Sequence, residues 1–197
     1  MFRDLNSLIL FYAVLLWPGR YVVMGLFDDN WYYAQMMYDS GVWSVRLLLM
    51  TIAVTPVLML INRIGRGAGI GRWLLRRRRH LGLISFVYAA LHLIHYVLEV
   101  AVLSEILSEV TDLEFAVGWL AFLVFAVLAL TSNNRSVRKM GRRWKRLHYW
   151  IYPAIALSFL HWYLFDLFTA RVMFWLALFV AVKLVHGALR GARRIGV

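Results

Sequence analysis

The chain has 197 residues, of which 62% are hydrophobic and 16% aromatic, with a mean hydropathy of +0.68 and a formal net charge of +12. A chain this apolar excludes an ordinary soluble domain and reads as an integral membrane protein. The absence of cysteine excludes disulfides, thiolate ligands, cysteine-held iron–sulfur clusters and c-type attachment, so any haem must be held non-covalently by His or Met.

In chain order, apolar segments long enough to cross a ~30 Å hydrocarbon core can be placed six times. They fall at residues 5–27, 42–61, 81–103, 115–131, 147–167 and 172–189. The first 20 residues carry an apolar run with no small-residue cleavage site after it, which predicts a retained first helix and not a signal peptide. Pro18, Gly19 and Arg20 interrupt that span, which is expected to be kinked, and Pro56 and Pro153 are expected to kink the second and fifth. No internal repeat or second domain is visible, so residues 1–197 read as one membrane domain.

Between these spans the charges alternate. Residues 62–80 hold seven arginines, residues 132–146 hold seven Lys/Arg, the tail from Arg190 holds three and the N-terminus holds Arg3, together 18 of the 22 basic residues. Asp28, Asp29, Asp39, Glu105, Glu109, Asp112 and Glu114 occupy the other connections, with Asp166 near the last. By the positive-inside rule the chain is an all-α, six-helix bundle with both termini cytoplasmic. The basic charge is thus a topology signal that meets anionic lipid, not a nucleic-acid surface, and docking of a flavin phosphate or an electron-donating protein is a second role open to it. The run Gly65-Arg66-Gly67-Ala68-Gly69-Ile70-Gly71 imitates a dinucleotide-binding turn but follows a membrane helix with no strand before it.

The candidate chemistry lies in six histidines: His80, His92, His95, His148, His161 and His186. Ionisable side chains inside membrane helices mark function by default, and imidazole is an axial ligand of haem iron. At 1.5 Å per helical residue, His92 lies roughly 17 Å, His95 roughly 21 Å and His161 roughly 20 Å from the cytoplasmic edge, with His80 and His148 at that edge. The third and fifth spans therefore present histidines at two matching depths, enough for an outer haem and an inner one. Depth does not choose between His92 and His95. On an ideal helix His148 and His161 would point some 140° apart, which weighs against a shared face. His186 reads as hydrogen-bonded packing.

Residues 40–56 (SGVWSVRLLLMTIAVTP), 76–96 (RRRRHLGLISFVYAALHLIHY) and 129–163, containing SNNRSVRKMGRRWKRLHYWIY and a later HWY, resemble in order and spacing the ferric-reductase-like transmembrane family, most nearly its MsrQ (YedZ) branch. The resemblance implies a multi-pass b-type cytochrome of the bacterial inner membrane, an electron-transfer subunit and not itself the catalytic one. It would take electrons from the quinone pool or a cytoplasmic flavin reductase and pass them to a periplasmic molybdopterin methionine-sulfoxide reductase. FMN is a further cofactor associated with the family. On the family's motifs the ligand positions fall on His92, His148 and His161; His80 stands opposite His148 by depth alone.

Arg20 and Arg46 are basic residues within apolar runs and outside the cytoplasmic set. A buried guanidinium costs several kcal/mol unless paired. Haem propionates would be partners for both. Two other readings stay open on the sequence: a stand-alone transmembrane reductase of ferric iron or oxygen, and a non-redox channel or assembly factor.

Overall fold

In lipid a single segment must satisfy its own backbone polar groups, and a helix does so. The computed structural model describes residues 2–17, 19–24, 33–63, 68–165 and 170–194, and every regular element among them is an α-helix. These are α1 (Phe2–Leu16), α2 (Gly19–Met24), α3 (Tyr33–Arg63), α4 (Ala68–Val100), α5 (Leu103–Glu109), α6 (Leu113–Leu130), α7 (Asn134–Met140), α8 (Arg142–His148), α9 (Ile151–Phe165) and α10 (Ala170–Arg194).

Four of the described helices are long and apolar enough to cross a membrane: Tyr33–Arg63, Gly71–Val100, Leu113–Leu130 and Ala170–Gly191. They contain the expected second and sixth spans, all of the fourth but Thr131, and most of the third, and the protein is an all-helical, multi-pass membrane protein. The first expected span overlaps α1 and the fifth contains α9, helices of 15 residues each. That is about 22 Å of helix, short of a ~30 Å core. Pro18, Asp28, Asp29, Asp166 and the turn-like Gly65, Arg66 and Gly67 lie outside the described residues.

Two local expectations are corrected. The arginines at 72 and 76–79 are not in a loop: α4 begins at Ala68, so they decorate its first turns. His148 and His161 are not on one helix. His148 closes α8, a turn at Tyr149–Trp150 intervenes, and α9 starts at Ile151. Pro153 explains the break. It has no N–H for the carbonyl of Tyr149, which instead accepts from Tyr152 N at 3.1 Å, and proline is tolerated in the first turn of the new helix. Gly141, at φ +53°, separates α7 from α8 in a conformation that favours glycine.

Packing is organised by α3. Its most extensive contact is with α4, and the α6–α9 pair is the next most extensive. Ser44 of α3 donates to the carbonyl of Ser85 at 2.9 Å, and Ser85 of α4 donates back to the carbonyl of Ser44 at 2.7 Å, both side chains being buried. Small hydroxyl residues let membrane helices approach closely and bond across the seam. Around this seam Val42, Leu48, Leu49 and Ile52 of α3 meet Phe125 of α6, Ile155, Phe159 and Trp162 of α9 and Val172 of α10 in one core cluster.

Candidate functional site

Between the α3–α4 and α6–α9 pairs lies a cavity of about 520 Å³ lined mainly by apolar side chains, among them Val42, Val45, Phe115, Phe122, Phe125 and Phe165. This volume is within the ~300–1,000 Å³ of small-molecule sites. His92 reaches it from α4 and His161 from α9, with ring centroids 6.0 Å apart and planes at 88°.

Each imidazole is oriented by a backbone carbonyl on a neighbouring helix. His92 Nδ1 donates to the carbonyl of Met37 in α3 at 2.7 Å, and His161 Nδ1 donates to that of Glu114 in α6 at 2.7 Å. A carbonyl only accepts, so both rings carry the proton on Nδ1 and keep the Nε2 lone pair for a metal. Each ring also sits where another residue would place a Cβ. A Cβ on Gly41 would come within 2.9 Å of His92 Nδ1, and one on Gly118 within 2.6 Å of His161 Nδ1.

The donor set fits a bis-imidazole haem. Two iron–nitrogen bonds of about 2 Å plus the depth of the two rings give roughly 6 Å between ring centres, which is the separation found. Apolar walls suit a macrocycle.

The other sequence candidates are placed elsewhere. His95 is fully buried and donates from Nδ1 to the carbonyl of Leu91 in its own helix at 2.6 Å. It does not line the cavity, so helix rotation, which depth left open, separates it from His92. His80 is bonded through Nδ1 to the hydroxyl of Tyr12 in α1. His148 stacks on Trp144 with centroids 3.9 Å apart, and its Nε2 is 3.2 Å from Thr131 Oγ1. That hydroxyl's one proton goes to the carbonyl of Val127 at 2.7 Å, so His148 Nε2 is the donor to it. Burial, and then the nearby Arg79 guanidinium, push the His148 imidazole below its ordinary value. His80 and His148 thus have separate partners and do not reproduce the outer arrangement. His186, expected to be hydrogen-bonded, has a buried Nε2 without a partner among the described residues.

Arg20 stacks on Trp17 at 3.8 Å and donates to the Trp17 carbonyl at 3.3 Å. Arg46 lines an adjoining cavity of about 420 Å³ together with Tyr38, Asp39, Trp43, Trp162, Arg171 and Trp175. Tyr38, Val42 and Trp162 are common to both cavities. Arg46 Nε and Trp162 Nε1 are buried donors with no acceptor among the described residues. A pair of orphaned donors beside the first cavity is a fitting seat for carboxylate oxygens.

Sequence reasoning missed Gly41, Gly118 and Trp162, and also Tyr96, whose hydroxyl donates to Glu109 Oε2 at 2.6 Å where both line the first cavity. Glycines inside or bordering apolar spans were the available signal, since small residues mark close helix contacts in membranes.

The family described as ferric reductase like transmembrane component matches residues 40–159, a range that includes His92 and ends two residues before His161. The chain is 42% identical over 124 residues, 61% of its length, to proteins of Brucella ovis, Brucella canis and Brucella suis, each named protein-methionine-sulfoxide reductase heme-binding subunit MsrQ. It spans about half the length of these curated relatives, with 52% of each covered. No solved structure matches. With the family match extending across α3, α4, α6 and most of α9, the chain belongs to the ferric-reductase-like transmembrane family, and within it is similar to the MsrQ haem-binding subunits.

Proposed function

We propose that this protein is the haem-binding electron-transfer subunit of a bacterial methionine-sulfoxide reductase system, with a b-type haem held between His92 and His161. The observation that carries the reading is the facing pair itself: two imidazoles on different helices, each locked with Nδ1 protonated, across an apolar cavity. When bound, the haem supplies a one-electron couple by cycling between ferric and ferrous iron. The chain's residues do the rest. His92 and His161 hold the iron, the Phe115, Phe122 and Phe125 walls exclude water, and Arg46 with Trp162 offers N–H donors to the haem's carboxylates. Arg20, engaged with Trp17, lines neither cavity and is left out of that role.

The finer reading follows the family. The chain lies in the inner membrane with six spans and both termini cytoplasmic; electrons enter from the quinone pool or a cytoplasmic flavin reductase and leave to a periplasmic molybdenum-dependent catalytic subunit. FMN and anionic lipid are in keeping with the basic turns of α4, α7 and α8. A second haem at His148 and His80 would require Thr131 to release His148 Nε2, whereas His80 is engaged with Tyr12 through Nδ1.

The test is the reduced-minus-oxidised absorption spectrum of the purified protein. A low-spin b-type spectrum that disappears in His92→Ala and in His161→Ala is expected. Full haem retention in both variants would sink the assignment.

A further inference from the structure

The two cavity histidines are held by the same device, used twice. Met37, whose carbonyl accepts from His92, precedes Gly41 by four residues, and Glu114, whose carbonyl accepts from His161, precedes Gly118 by four. In an α-helix the carbonyl of residue i is bonded by the N–H of residue i+4, and the side chain of i+4 leans back toward the N-terminus over that turn. A side chain at i+4 therefore covers the flank of the carbonyl at i, and glycine leaves it open. Because a carbonyl has two lone pairs, it can keep its helical bond and accept a second N–H from outside.

Both open flanks are filled by an imidazole. A Cβ at Gly118 would stand 2.6 Å from Nδ1 and 2.7 Å from Cε1 of His161, and one at Gly41 would stand 2.9 Å from Nδ1 and 3.2 Å from Cε1 of His92. A contact under 3 Å from a carbon forces the ring away. Among the described glycines these two alone would strike a histidine, and Gly82 of α4 would meet only Thr51 Cγ2, at an ordinary 3.7 Å. One socket lies in each of the two most extensively packed helix pairs, α3–α4 and α6–α9.

We infer that Gly41 and Gly118 are the positioning residues of the metal site: each uncovers a helix carbonyl that takes the Nδ1–H of one axial histidine, which sets the ring's tautomer, its aim and its basicity. The inference rests on the haem reading above. A hydrogen bond from Nδ1–H strengthens the imidazole as a donor and favours the ferric state, so losing it weakens haem binding and raises the midpoint potential.

The experiment compares Gly41→Ala, Gly118→Ala and the control Gly82→Ala in detergent-purified full-length protein titrated with haem, followed by redox titration of the haem that binds. The expected result is a ~10–100-fold loss of haem affinity in each socket variant, the range for partners that orient metal-bound histidines. The residual haem should have a raised midpoint, and Gly82→Ala should match the wild type. Wild-type affinity and midpoint in both socket variants overturn the inference while leaving the haem reading intact; a wild-type protein that binds no haem overturns both. Should a socket variant fail to reach the membrane, histidine ¹⁵N resonances of the reduced, diamagnetic wild type decide. Protonated, hydrogen-bonded Nδ1 at both His92 and His161 supports the inference, and an unbonded Nδ1 at either one rejects it.

Discussion

His92 and His161 face each other across 6.0 Å with their ring planes nearly perpendicular, at 88°. Perpendicular axial imidazoles leave two iron d orbitals close in energy. The oxidised protein is therefore expected to give a low-spin electron paramagnetic resonance signal of the strongly anisotropic type, with a large maximum g. A rhombic signal of the parallel-ring kind would show that the rings turn when the iron binds.

Arg46 and Trp162 make a second prediction. A guanidinium beside the cofactor opposes the extra positive charge of ferric iron, so Arg46→Gln is expected to lower the midpoint potential, and Trp162→Phe to lower it less, with the protein still inserted. Arg20→Gln is expected to leave it unmoved, because Arg20 is held against Trp17. Redox titration of the three variants checks the order, and equal midpoints for all would exclude Arg46 from that role.

The reciprocal serine pair predicts a stability effect separate from the cofactor. Ser44→Ala and Ser85→Ala each remove one bond across the α3–α4 seam and are expected to cost about 0.6–2 kcal/mol, the range for hydrogen bonds between membrane helices. A double-mutant cycle measured by unfolding in mixed micelles should show the two costs to be coupled, since the bonds fix one helix register.

His148 gives a pH prediction. Its folded-state value is lowered by burial and by Arg79, so near its ordinary value of about 6.5 the unfolded chain binds more protons than the folded one. Stability is then fully present above about pH 6.5 and is lost as pH falls from there toward the folded value. Thermal unfolding of His148→Gln should be flatter over that acidic window than the wild type. The same variant should keep the haem of His92 and His161, which an absorption spectrum reads directly.

Much of the architecture is determined by composition along the chain. The expected span 115–131 and the observed α6, Leu113–Leu130, differ by two residues at most, because an uninterrupted apolar run flanked by Glu114 and Thr131 has no other way to satisfy its backbone in lipid. His92 and His161 were equally visible, since polar residues are scarce in such runs. What tertiary structure alone decided is where each helix faces. In a membrane the lipid side is as apolar as the core, so the hydrophobic period that marks a soluble helix's inner face carries little signal. That is why spacing could not separate His92 from His95, and why packing had to turn one toward the cavity and fold the other onto Leu91. The break after His148 is a matter of one missing N–H at Pro153 and the turn that absorbs it. Gly41 and Gly118 gain their meaning only when a second helix brings an imidazole to the carbonyl they uncover, a relationship between residues 51 and 43 positions apart in sequence that no local pattern records.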